Sequence, residues 1–129
     1  YYVGCCVVVL VRDIMRTSLV TLSPGETVET AVRIMKENNV GSVLVVDAGR
    51  LVGIFTERDL LDMVAGGVGL DKKLGDVMTR NVVTVRPNDP VVKAVCKMVD
   101  YNIRHVPVVD DSGAPLGMVS ARDVLRNML

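Results

Sequence analysis

Gly53-Ile54-Phe55-Thr56-Glu57-Arg58-Asp59 returns later in the chain as Gly117-Met118-Val119-Ser120-Ala121-Arg122-Asp123. Each stretch has a glycine, two apolar residues, a hydroxyl and, three residues on, a carboxylate, which reads as a strand running into a helix start. Working outward, the whole of Val11 to Ala65 is written again from Leu74 to Leu129. At an offset of 63 residues the copies agree at Asp13/Asp76, Met15/Met78, Val20/Val83, Thr21/Thr84 and Pro24/Pro87. They agree again at Ala31/Ala94, Val32/Val95, Met35/Met98, Asn39/Asn102 and Val45-Val46-Asp47/Val108-Val109-Asp110. One extra residue in the second copy's turn makes the offset 64, and Gly49/Gly113, Gly53/Gly117, Arg58/Arg122, Asp59/Asp123 and Leu61/Leu125 follow. Such self-similarity decides the architecture before any local assignment. Two copies are too few for a solenoid and suit a pseudo-two-fold pair, whose seam can form a site twice.

The local signals repeat with the copies. Val11 to Met15 predicts a short helical turn and Leu19-Val20-Thr21 a brief strand, closed by the breakers Pro24 and Gly25. From Thr27, Val28, Ala31, Val32 and Met35 fall on one helix face, and Val91, Ala94, Val95 and Met98 repeat it. In the second copy Asp89 suits the cap and Pro90 the first helical position. Ser42 to Val46 and His105 to Val109 predict strands leading into Gly-containing turns, and Leu51 to Phe55 and Leu116 to Val119 the return strands. A last helix starts at Thr56 and again at Ser120, with Leu60, Leu61 and Val64, then Val124, Leu125 and Met128. The expected class is α/β, two β-α-β-β-α units with small three-stranded sheets packed on helices. Residues 1–10 form an apolar extension, 11–65 the first repeat, 66–73 a Gly-rich linker and 74–129 the second repeat.

Composition excludes several function classes. The formal net charge is zero, with 15 basic and 15 acidic residues, so no basic field exists to hold a nucleic acid backbone. One Phe, three Tyr and no Trp leave little for single-stranded bases to stack on. Cys5, Cys6 and Cys96 lack metal-ligand spacing, and with one His in the chain no zinc cluster is expected. Unpaired thiols point to a reducing, cytoplasmic setting. The apolar run Val3 to Val11 is far shorter than the ~20 residues of a membrane helix and lacks signal-peptide features, so it reads as a strand or an edge-covering segment.

The combined pattern is Asp-h-Met (h apolar), Thr-x-x-Pro, Ala-Val-x-x-Met, Val-Val-Asp-x-x-Gly and Gly-h-h-Thr/Ser-x-x-Asp. It resembles the CBS domain (cystathionine-β-synthase-type repeat), twice, over nearly the whole chain beyond Leu10. The resemblance implies a pseudo-symmetric pair with two clefts for adenosine nucleotides, commonly joined as flat homodimers and regulatory rather than catalytic. No catalytic domain is expected within 129 residues.

The hydroxyl and carboxylate at each helix start form a plain capping box in any protein. In a CBS-like repeat the same helix start suits an anion, and the resemblance implies that Asp59 and Asp123 take a ribose diol, with Thr56 and Ser120 beside the phosphate or ribose. It further implies one cleft of Ile54, Thr56, Arg58, Asp59, Asn81, Val83, Ile103, Arg104 and His105. The other would hold Ser18, Val20, Val40, Gly41, Ser42, Met118, Ser120, Arg122 and Asp123. Arg104 and His105 face phosphate chemistry where their counterparts Gly41 and Ser42 carry no charge, so phosphorylated adenosines are expected at the Asp59 cleft. Uncharged ligands, or none, are expected at the Asp123 cleft. Arg58 and Arg122 either clamp phosphate or pair with surface acids such as Glu57 and Asp62.

The leading expectation is a regulatory module that binds AMP, ADP or ATP and changes the arrangement of repeats or of a homodimer, for an unidentified regulated protein to read. A ligand-free dimerisation scaffold and an S-adenosylmethionine sensor are the alternatives. His105 and Ser120 lack an orienting acid, oxyanion donors or a metal, so no catalysis, required cofactor, metal, nucleic acid or membrane partner is expected.

Overall fold

A computed structural model of the protein describes residues 8–128; most of the apolar run from Val3, with Cys5 and Cys6, lies outside them. The elements are α1 (Val11–Ile14), β1 (Thr21–Leu22), α2 (Val28–Asn38), β2 (Ser42–Asp47), β3 (Arg50–Thr56) and α3 (Glu57–Ala65). There follow α4 (Leu74–Val77), α5 (Val91–Tyr101), β4 (His105–Val109), β5 (Pro115–Ser120) and α6 (Ala121–Met128). Among the described residues no helix is long and apolar enough to cross a membrane.

These elements form two compact units: Leu19–Val82, which holds Asp59, and the described residues up to Ser18 together with those from Val83 onward, which hold Asp123. The units do not follow the sequence repeats. The opening segment of each repeat belongs to the unit built on the other repeat. Leu74 of α4 is fully buried with Val28, Ala31, Val43, Val45 and Phe55. Val11 of α1 is fully buried with Val85, Ala94, Val106, Val108 and Val119. The backbone docking is the same in both. Leu74 N–H donates to Glu26 at 2.8 Å and Gly75 to Pro24 at 3.0 Å, while Val11 donates to Asp89 at 2.8 Å and Arg12 to Pro87 at 3.0 Å. Fully burying such a side chain contributes ~1.5–3 kcal/mol, so each opener is a core element of its unit.

In the Asp59 unit the sheet order is β1-β2-β3, with β1 parallel and β3 antiparallel to β2. Helix α2 starts at Thr27, whose hydroxyl accepts from Thr30 N–H at 3.2 Å, and ends at Asn39 in the left-handed region. It buries Val28, Ala31 and Met35, the stripe expected from periodicity. A bulge between Val45 and Val46 skips Val52 on β3.

The Asp123 unit repeats this with two departures. Its sheet is β4-β5, and the third strand shrinks to a parallel bridge between Val85 and Val108. The cause is Pro107. In the other unit Leu44 N–H donates to Val20 O at 3.0 Å, but Pro107 stands at the position of Leu44 and has no N–H for Val83. The second departure concerns the start of α5. Pro90 is the N-cap, extended at φ −68°, ψ 148°, rather than the first helical residue. It bridges to Leu10, while the Asp89 carboxylate accepts from Arg86 N–H at 2.8 Å instead of capping the helix.

The expected apolar residues of the last helices divide. Leu60 and Val124 are partly buried against the cores, while Leu61, Val64, Leu125 and Met128 stay exposed.

Candidate functional site

Each unit brings a hydroxyl and a carboxylate together at the junction of its return strand and its last helix. In the Asp59 unit, Thr56 caps α3 with its hydroxyl accepting from Asp59 N–H at 3.3 Å. Asp59 Oδ2 in turn accepts from Thr56 N–H at 2.9 Å and from the Thr56 hydroxyl at 3.2 Å. The capping box read in the sequence is therefore formed. The segment after α4 runs back along β3, with Ile54 and Thr79 exchanging backbone bonds of 3.0 and 2.9 Å. This lays the Thr79 hydroxyl against the carboxylate, donating to Asp59 Oδ1 at 3.0 Å.

The Asp123 unit builds the same frame. Ser120 N–H donates to Asp123 Oδ2 at 2.9 Å and the Ser120 hydroxyl accepts from Asp123 N–H at 3.1 Å. The segment after α1 pairs with β5, Arg16 and Met118 exchanging two backbone bonds of 2.9 Å. Gly117 permits that approach, because a Cβ there would sit 2.8 Å from Arg16 O and 2.7 Å from Met15 Sδ. Arg16 stands where the other unit has Thr79, so Asp123 receives a guanidinium, Nε to Oδ1 at 3.0 Å, in place of a hydroxyl. Asp123 is 6% exposed. Burial pushes its pKa up, but the bonds from Ser120 and the Arg16 cation outweigh it and hold the carboxyl below its ordinary 3.8.

The other expected residues divide between the units. Ile54, Thr56, Arg58, Asp59 and Asn81, with Val20, Val40, Gly41 and Ser42, belong to the Asp59 unit. Val83, Ile103, Arg104 and His105, with Ser18, Met118, Ser120, Arg122 and Asp123, belong to the Asp123 unit. Within each, the start of the second strand adjoins the helix start. Ser42 is buried opposite Thr56 and Gly41 O accepts from Glu57 N–H at 3.1 Å. His105 is half-buried opposite Ser120, and Arg104 O accepts from Ala121 N–H at 2.9 Å. Asn81 is exposed and takes the left-handed conformation at φ 54°, which asparagine tolerates. Arg58, Arg104 and Arg122 are exposed, as is Ser18. Val20, Val40, Val83, Ile103 and Met118 are half-buried, and Ile54 is buried.

Arg16 and Thr79, each directly after a matched methionine, are contacts of the carboxylates that were not among the expected site residues. The signal was available as the difference between the copies at that offset. Beside Asp123 the structure also has a hollow of about 290 Å3 lined by Asp13, Ile14, Arg16, Asp123, Arg126 and Asn127. Among the described residues no group of three His, Cys, Asp or Glu side chains is arranged to hold a metal ion.

Comparison with known proteins bears on this geometry. The CBS domain family model matches residues 11–66 and again 74–129. An uncharacterised protein of Methanopyrus kandleri is 38% identical over 121 residues, covering 92% of this chain and 62% of that protein, so the chain spans less than two thirds of that relative's length. The CBS domain pair of protein MJ0100, solved with 5′-methylthioadenosine and S-adenosyl-L-methionine, is 34% identical with a TM-score of 0.87, covering 94% of this chain and 96% of that one. A CBS domain protein from Pyrobaculum aerophilum, complexed with AMP, is 30% identical with a TM-score of 0.84 and 89% of each chain covered.

Proposed function

The chain belongs to the CBS domain family, and from that premise we propose that it is a regulatory module whose ligand is an adenosine nucleotide. The observation that carries this is the twofold recurrence of a carboxylate held at a helix start with acceptor capacity to spare. Asp59 and Asp123 are each oriented by the backbone N–H of Thr56 or Ser120. A carboxylate has about four lone-pair positions. Asp123, with two donors, keeps two for the hydroxyls of a ribose diol. Asp59, with three, keeps one and gains a second when the Thr79 hydroxyl turns to the ligand. The starts of α3 and α6, where the helix dipole presents its positive end, favour an anion such as phosphate. A neighbour at 30% identity holds AMP, which favours AMP, ADP or ATP as the ligand. S-adenosylmethionine is the second choice, drawn from the neighbour that holds it.

Binding acts by favouring one arrangement of the repeats, or of a homodimer, which a regulated protein then reads. The exposed Leu61 and Val64 on α3, and Leu125 and Met128 on α6, support self-association, since exposed apolar side chains clustered on a helix mark interaction surfaces. Catalysis is not assigned. The Ser120 hydroxyl accepts from Asp123 N–H at the start of α6.

Thermal unfolding with AMP, ADP, ATP, adenosine and S-adenosylmethionine tests the proposal, alongside mass spectrometry of small molecules released from freshly purified protein. A true ligand at 100 times its Kd adds ~2.7 kcal/mol and raises Tm by several degrees. A flat response across the panel with no released adenosine compound would leave the dimerisation scaffold as the better account.

A further inference from the structure

Resting on the adenosine-ligand proposal, we infer that Arg16 determines specificity in the Asp123 unit, selecting ligands with an anionic group over neutral nucleosides. Arg16 bonds Asp123 through Nε alone. Its terminal nitrogens, the strong half of the guanidinium fork, donate to nothing among the described residues, and its side chain is 48% exposed. Arg16 lines the hollow together with Arg126, and Arg126 has no hydrogen-bond or ion-pair partner among the described residues. Both carboxylates at the hollow already have donors of their own. Asp13 Oδ2 accepts from Leu10 N–H at 2.9 Å, and Asp123 accepts from Ser120 and Arg16. At this hollow Asp123 keeps about two acceptor positions for a diol, while the terminal nitrogens of Arg16 and the Arg126 guanidinium keep donors for an anion.

The consequence for a ligand follows from that balance. A diol arriving at Asp123 shares a carboxylate whose charge Arg16 already offsets, and hydrogen bonds to it are correspondingly weaker. A neutral nucleoside brings nothing to compensate. A phosphate-bearing ligand engages the free face of the guanidinium with two parallel bonds while Asp123 accepts from the diol. The Asp59 unit lacks this device, because Thr79 donates a neutral hydroxyl that carries no preference for an anion. The absence of charge at Gly41 and Ser42 pointed to an uncharged occupant, or none, at Asp123; the role inferred for Arg16 departs from that expectation.

The test is calorimetric titration of AMP and of adenosine into the full chain carrying Asp59→Ala, which isolates the Asp123 unit. AMP is expected to bind about tenfold tighter than adenosine there. Arg16→Thr, which installs the residue the other unit already accommodates, should weaken AMP about tenfold and change adenosine by less than about twofold. Arg16→Lys keeps the charge without the fork and should retain part of the preference. An AMP-to-adenosine ratio unchanged by Arg16→Thr would overturn the inference while leaving the adenosine site standing. Failure of every adenosine compound to bind the unsubstituted chain would overturn both.

Discussion

Asp59 and Asp123 occupy the same position in two nearly identical frames, yet one meets a hydroxyl and the other a guanidinium. Strand register, helix cap and the returning opener are common to both units. Around the carboxylates the difference lies in the residue after a shared methionine, Thr79 or Arg16. A duplicated fold thus keeps its backbone and varies its chemistry at a side chain whose change costs the frame little. The cores differ as well: Phe55 is fully buried where the other unit has Val119.

The largest expected effect concerns that core difference. Phe55→Ala should cost ~3–5 kcal/mol in urea denaturation, and Val119→Ala about 2 kcal/mol, because the smaller side chain leaves less cavity. Equal costs would mean that the two cores are packed to the same depth despite their residues.

A smaller effect sharpens the comparison of the carboxylates. The folded pKa of Asp123 lies below its ordinary 3.8. On acidification the unfolded chain therefore takes up this proton first, and stability falls. The contribution of Asp123 is complete above that ordinary value and disappears as pH drops through the folded one. Asp123→Asn should lower stability at pH 7 by about 1 kcal/mol, with the half-exposed Arg16 adding only a minor share, and the deficit should be smaller at a pH well below 3.8. A deficit of the same size at both pH values would show that the charge of Asp123 is not what its neighbours recognise.

Much of this was legible in the chain itself. The helix stripes and strand-turn-strand runs were readable because periodicity, caps and glycine breakers act locally. The exchange of openers was not, because Val11 and Leu74 are equally apolar and nothing near either says which core receives it. The shift at the start of α5 depends on a bridge from Pro90 to Leu10, distant in sequence. Pro107 and Arg16 are different cases. Their effects could be read by aligning the copies and asking where they disagree, whereas identities alone draw the eye to what both share. The carboxylates at the helix starts came from those identities and the hydroxyls from the Thr/Ser match beside them, while the cation beside Asp123 came only from the structure.

The central claim is that these two carboxylates hold adenosine ligands, and titration of AMP into the Asp59→Ala, Asp123→Ala double variant tests it most directly. With folding verified by thermal melt, affinity should fall at least 100-fold below that of the unsubstituted chain, since each lost charged acceptor is worth ~1.5–3 kcal/mol. Unchanged AMP binding by a folded double variant would contradict the account.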